Sequence, residues 1–217
     1  MKNCFKVILL LISISLVLSC KNSGQKDKEV IADSSQKYGT LYEVKTDQSI
    51  IYWIGKAALT SHNGSVKIKT GSLEIDTYGQ IKSGTFKIDM QSISNLDIAD
   101  VKDKKKLEDH LKSVDFFAVD SFPEADFIIT KVQYISDSLG NHLITGDLTI
   151  KGKVNEINIK ANVISSGNTV MVTVPEFTID RTLWNINYNS SKILDLIKDK
   201  LISDEVKISM KILAARK

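Results

Sequence analysis

From about residue 41 onward the chain is organised by alternation of apolar and polar positions. Near the C-terminus Val206, Ile208, Met210, Ile212 and Ala214 alternate with Lys207, Ser209, Lys211 and Leu213. Successive side chains of a strand point to opposite faces, so this period of two places one set on a dry face and the other mainly on a wet one. The same pattern holds for Phe86, Ile88 and Met90, for Ile157, Ile159, Ala161 and Val163, and for Val170, Val172 and Val174. Ile144, Leu148 and Ile150 share a parity, with Gly146 between them. Turn signals fall at Asn63-Gly64, Tyr78-Gly79, Gly140-Asn141, Gly152 and Gly167-Asn168. Pro175 stands late in one strand, and the apolar parity moves afterwards to Phe177 and Ile179, which predicts a bulge or an edge position.

Strands with one apolar face bury it by curling into a barrel or by stacking two sheets. The fold class is therefore mainly β. Two stretches depart from the strand pattern. Asp97 to Ser113 is charged, with Leu107 and Leu111 four apart, and predicts a short surface helix. Ser191 to Leu201 places Ile193, Leu194 and Ile197 on one helical face, a second short helix suited to bracing one end of a barrel.

The N-terminus changes the picture of where such a domain works. Met1 to Lys6 carries two lysines and no acid, Val7 to Leu18 is almost wholly apolar, and Val17-Leu18-Ser19-Cys20 ends the run. A charged start, a short apolar run and a small residue before the cut describe an export signal. Val17-Leu18-Ser19-Cys20 resembles the lipobox of bacterial lipoproteins, which implies cleavage before Cys20 and acylation of Cys20. Lys21 to about Thr40 is rich in Lys, Ser, Asp and Gln without apolar periodicity, and reads as a flexible tether. The expected organisation is a signal over 1–19, a lipidated cysteine and tether over 20–40, and one domain over 41–217. The expected location is the cell envelope, with the chain lipid-anchored to a membrane, the outer membrane foremost.

The two cysteines, Cys4 and Cys20, leave the mature domain with no internal disulfide. Removing Lys2 and Lys6 from the 29 basic residues leaves 27 against 26 acids, a formal charge of +1. That balance argues against a nucleic-acid partner held through phosphates. His62, His110 and His142 lie far apart without metal-ligand spacing, so no metal is expected and the three are read as solvated or capping histidines. No Gly-x-Ser-x-Gly elbow or phosphate-binding glycine loop is present, and no cofactor or enzymatic activity is expected.

Seven ordered blocks carry a resemblance. They are Tyr52-Trp53-Ile54-Gly55-Lys56, Ser61-His62-Asn63-Gly64, Gly84 to Met90 with Ser92-Ile93, His110 to Phe117, Phe122 to Phe127, Gly146 to Gly152, and Phe177 to Arg181 with Trp184. Together they resemble the YceI-like family over roughly Leu41 to Ala214. The resemblance implies an elongated, antiparallel, lipocalin-like β-barrel whose tunnel takes a long-chain isoprenoid or other apolar lipid. Candidate residues of that tunnel or its mouth are Trp53, Phe86, Phe116, Phe117, Phe127, Phe177, Arg181 and Trp184. Each aromatic has an alternative role as ordinary core. Phe116-Phe117 with Phe122-Pro123 is a dense apolar cluster, favoured as a plug over one barrel end. Arg181 either receives a ligand headgroup or pairs with an acid to close the barrel end, and the second role is favoured. The leading function is a membrane-anchored carrier or store for such a lipid. A solid barrel that binds an envelope protein is the alternative. The sequence leaves the oligomeric state open, a homodimer included.

Overall fold

A computed structural model describes residues 39–192 and 201–217. The expected export signal, Cys20, nearly all of the expected tether and the centre of the helix expected over 191–201 lie outside the described residues.

The strands are β1 (Thr40–Val44), β2 (Ile50–Ala57), β3 (Ser61–Ile75), β4 (Ile81–Asn95), β5 (Glu124–Asp137), β6 (Gly140–Ile150), β7 (Lys153–Ser166), β8 (Thr169–Asp180) and β9 (Ile202–Arg216). Among the described residues one α-helix, α1 (Val101–Lys112), links β4 to β5. All pairings are antiparallel. The ring runs β3, β2, β9, β8, β7, β6, β5, β4, and the β3–β4 pairing closes it into a barrel. β1 shares both neighbours of β2: Tyr42 lies opposite Leu73 and Arg216, as Trp53 lies opposite Gly64 and Ile208. The two strands are therefore halves of one stave, interrupted by a 3-10 turn at Thr46–Gln48. The buried Ser49 side chain secures the interruption, accepting from the Leu213 N–H at 3.0 Å while the Lys45 N–H donates to the Leu213 carbonyl at 2.8 Å.

The apolar parity read from the sequence is the inward parity. Ile212 and Ala214 of β9, Val170, Val172 and Val174 of β8, and Ile159, Ala161 and Val163 of β7 are all buried. The register shifts between Val174 and Phe177, where Pro175 removes a ladder donor, so the expected bulge is present. Lys151 (φ 50°) and Gly152 (φ 69°) make the β6–β7 turn with positive φ at both central positions, the geometry whose twist matches the flanking strands.

Two expectations are corrected. Asn63-Gly64 is not a turn but lies inside β3. A Cβ at Gly64 would stand 2.0 Å from the Ser94 carbonyl oxygen and 2.3 Å from Cζ2 of Trp53, so the glycine answers to close approach rather than to chain reversal. His142 is neither solvated nor a cap. It shares the inward parity of β6 with Ile144 and Leu148 and is 2% exposed.

The interior cavity

The inward faces do not fill the barrel. A cavity of about 270 Å³ runs within it, lined almost entirely by apolar side chains. Burial along the strands gives its polarity. Leu73, Ile75, Val170 and Ala214 are buried at one end. Towards the other end the inward residues Met210, Ile208 and Val206 of β9 are half-buried and line the hollow. The polar residues of the lining, Lys56, His62, Arg181 and Ser203, cluster at that same end, which is the mouth. Its described part is built from the β2–β3 and β6–β7 connections, residues 181–192 after β8, and α1.

All eight tunnel candidates border this cavity. Phe86 and Phe127 are buried side by side, ring centres 6.3 Å apart and tilted by 33°. Phe127 lies over Gly146, where a Cβ would be 2.4 Å from its ring, so the inward glycine of β6 is the notch that admits the phenyl group. Trp53, Phe117 and Phe177 are half-buried, while Phe116 is buried. The apolar cluster expected around Phe116 divides: Phe116 and Phe117 face the cavity, whereas Phe122 stays 37% exposed against Gly152.

Trp184 is fully buried and donates its Nε1–H to the Leu148 carbonyl at 2.9 Å. It projects from a 3-10 turn, Arg181–Trp184, whose start is capped by the Asp180 carboxylate on the Thr182 N–H. Asn185 ends that turn in the left-handed region at φ 58°.

Arg181 and its neighbour Asp180 do not pair with each other. Asp180 binds Lys192. Arg181 is 4% exposed, and its guanidinium is consumed locally. Nε donates to the Ser203 carbonyl (2.9 Å), one terminal nitrogen to the Ile186 carbonyl (2.8 Å), and the other to the Ile202 carbonyl (3.0 Å) and Asp204 (3.4 Å). Burial pushes its pKa down, against the opposing fields of Asp204 and Asp180. This arrangement sews the 3-10 turn to the start of β9.

Leu107, Leu111, His62 and Ile186 also line the cavity and are not among the sequence candidates. The spacing of Leu107 and Leu111 was a visible signal, but it gave an amphipathic helix without saying what the helix covers. Asp100 caps the start of α1, its carboxylate accepting from the Lys102 and Asp103 N–H groups. Glu108 fastens it to the end of β4, accepting from the Asn95 N–H (2.8 Å) and the Ser94 hydroxyl (3.0 Å). The His110 ring stands edge-on to Phe116 and Tyr188, with centres 5.0 and 4.7 Å away. His62 Nδ1 meets Asp97 at 2.9 Å. Burial pushes the Asp97 pKa up, but hydrogen bonds from the Asn63 N–H, His62 and Asn95 outweigh it and hold the carboxyl below its ordinary value. Among the described residues no group of three His, Cys, Asp or Glu is placed to hold a metal ion.

A hollow of this kind can enclose an apolar chain and meet a polar group only at its mouth. Known proteins share the frame. UPF0312 proteins of Staphylococcus aureus strains USA300 and Mu50 are each 33% identical over 90 residues, covering 39% of this chain and 48% of theirs. The chain thus spans about half the length of the curated relatives it matches. Among solved structures, BcnA of Burkholderia cenocepacia is 23% identical, with 79% of this chain and 99% of that one covered and a TM-score of 0.61. A polyisoprenoid binding domain from Saccharophagus degradans, implicated in plant cell wall breakdown, is 15% identical, with coverage of 81% and 98% and a TM-score of 0.57. The YCEI protein of Campylobacter jejuni is 19% identical, with coverage of 69% and 83% and a TM-score of 0.53. At these identities the likeness is one of fold. The YceI-like domain model matches residues 42–214, which reach into every strand of the barrel, and the chain therefore belongs to the YceI-like domain family.

Proposed function

We propose that the barrel holds one long apolar lipid, a polyisoprenoid or similar amphiphile, for carriage or storage in the cell envelope. The observation that carries this reading is the cavity itself: apolar along its length, with hydrogen-bonding residues gathered at one end. Such a lining rewards chain length, since each buried methylene contributes about 0.8 kcal/mol. It offers a polar head nothing until the mouth, where Lys56, His62 and Ser203 stand. The Saccharophagus domain, described as polyisoprenoid binding, has the same fold and supports the ligand class. The export signal and Cys20 support a lipid anchor, with residues 20–40 as the tether between membrane and barrel.

The test is titration of delipidated full-length protein with prenyl lipids of graded length, followed by mass analysis of the recovered lipid. Affinity should rise with length until the cavity is full, and the lipid should return unchanged. Absence of saturable binding at every length would overturn the carrier reading in favour of a protein-binding module, and a chemically altered lipid would indicate an enzyme. The anchor is tested by metabolic labelling with a fatty-acid analogue. Cys20→Ala should abolish the label, and equal labelling of variant and parent would refute lipidation at Cys20.

A further inference from the structure

The end of the barrel that opens the cavity also exposes apolar side chains on separate connections. Leu59 at the β2–β3 turn is 82% exposed, Val101 at the start of α1 78%, Val114 beyond α1 79%, Val154 after the β6–β7 turn 55% and Leu183 on the 3-10 turn 48%. Single exposed apolar residues are ordinary on any surface. These surround one opening, and they stand among cations. Lys56, Lys112, Lys151 and Lys153 have no carboxylate partner among the described residues. Lys151 reaches only the Val114 carbonyl (3.4 Å) and Lys153 only the Asn185 side chain (3.1 Å).

Among the described residues several carboxylates that shape the mouth are engaged: Asp97 is held by His62, Asn63 and Asn95, Asp115 by His110, Asp180 by Lys192, and Asp204 by Arg181, while Asp103, Asp120 and Glu205 have no cation partner. The described rim presents apolar tips beside four ammonium groups, of Lys56, Lys112, Lys151 and Lys153, that no carboxylate engages. Lysine stems lie along apolar surface while their heads reach outward to charge, so this combination suits the phosphate level of a bilayer. Anionic lipids supply the complementary charge.

We propose that the mouth of the barrel docks on an anionic lipid bilayer, so that an apolar chain passes between membrane and cavity without crossing water. The proposal rests on the reading of the cavity as a lipid site. It names the surface from which that site is filled.

The experiment is position-resolved. The chain has cysteines only at Cys4 and Cys20, so Cys4→Ser with Cys20→Ser gives a thiol-free full-length background. A polarity-sensitive fluorophore is attached through Leu59→Cys or Val114→Cys at the mouth, and through Tyr78→Cys, 87% exposed at the β3–β4 turn of the opposite end. The probes are vesicles of phosphatidylglycerol with phosphatidylcholine, and of phosphatidylcholine alone. With anionic vesicles the two mouth labels should brighten severalfold and be quenched by lipid-borne nitroxide, whereas the Tyr78 label should do neither. Lys112→Glu combined with Lys153→Glu should abolish the mouth response. Mouth labels that stay as dark as the Tyr78 label, or that respond equally to neutral vesicles, would overturn the proposal. Prenyl titration of the same samples separates the two readings: labels that stay dark while prenyl lipids bind defeat the docking alone, and labels that respond in a protein that binds no prenyl lipid defeat the carrier alone.

Discussion

Replacing Arg181 by methionine keeps the apolar stem of the side chain and deletes its fork. In the parent the fork serves three main-chain carbonyls, of Ser203, Ile186 and Ile202, and the carboxylate of Asp204. Asp204 is itself mostly buried, with 10% of its side chain exposed. Removing one partner of a buried ion pair costs about 3–5 kcal/mol, chiefly because the other charge is left without a partner. Each carbonyl left unsatisfied adds about 1 kcal/mol or more where water does not reach it. A loss of about 4 kcal/mol is therefore expected for Arg181→Met. With a urea dependence of about 2 kcal/mol per molar, this lowers the unfolding midpoint by about 2 M. Arg181→Lys retains a charge but not the planar set of donors, and should fall between parent and Arg181→Met. Equilibrium urea unfolding followed by tryptophan fluorescence reads the change directly, since Trp184 sits in the adjoining turn. A loss below about 1 kcal/mol, accompanied by weaker binding of a phosphorylated prenyl lipid and unchanged binding of a neutral one, would refute the structural role and make Arg181 a headgroup receptor.

Ala125 lines the cavity with only a methyl group and is 2% exposed, so Ala125→Phe should shorten the longest prenyl chain accepted. Losing room for one prenyl unit weakens binding by about 1.5 kcal/mol at ~0.3 kcal/mol per heavy atom, roughly tenfold in Kd, while short prenyl alcohols should bind as before; equal loss at every length would contradict the lengthwise hollow. Burial lowers the His142 pKa in the folded protein, so the unfolded chain binds the more protons and the stability due to neutral His142 is lost as pH falls below about 6.5. His142→Gln should flatten the acid limb of a stability-versus-pH curve, and an unchanged slope would show that His142 titrates freely. Ile208→Asp places a charge on the inward face of β9 and should cost at least about 2 kcal/mol, whereas Lys207→Asp on the outer face, which loses its contact with Glu176, should cost about 1 kcal/mol or less. Coincident urea midpoints for these two variants would refute the inward placement of Ile208.

The inward set was readable wherever one face of a strand is dry and the other wet. Val206 to Ala214 and Ile157 to Val163 alternate cleanly because their outer faces meet water. Pro175 announced its bulge because a residue without an N–H cannot continue a ladder. Asn63-Gly64 misled because a glycine needed for close packing under an indole has the same letter as a glycine needed for a turn. His142 reads as solvated or capping because one polar residue on an apolar parity looks like a strand end, and its partner Asn141 is polar as well. The candidate aromatics could be named but not sorted into lining and core, since burial against protein and burial against a void require the same chemistry. The carbonyl partners of Arg181 come from main chain, to which side-chain patterns give no clue. The splitting of one stave into β1 and β2 was likewise invisible, because it depends on β9, far away along the chain.

That split stave bears on how the molecule comes into being. Both of its halves pair with β9, Val44 opposite Ala214 and Trp53 opposite Ile208, so the opening segment of the domain waits for the closing one. The equilibrium cost of so long a loop is modest, since each doubling of length adds only about 0.6 kcal/mol, but encounters between distant segments make folding slow. Until the 15 residues of β9 are in place, β2 and β8 are bare edges of an open sheet, each a template for a strand from another chain. The final strand acts as the clasp of the barrel. A nascent chain without it has no inside, and during that interval the danger is cross-pairing between neighbours, which a tightly regulated supply of unfolded chains would limit.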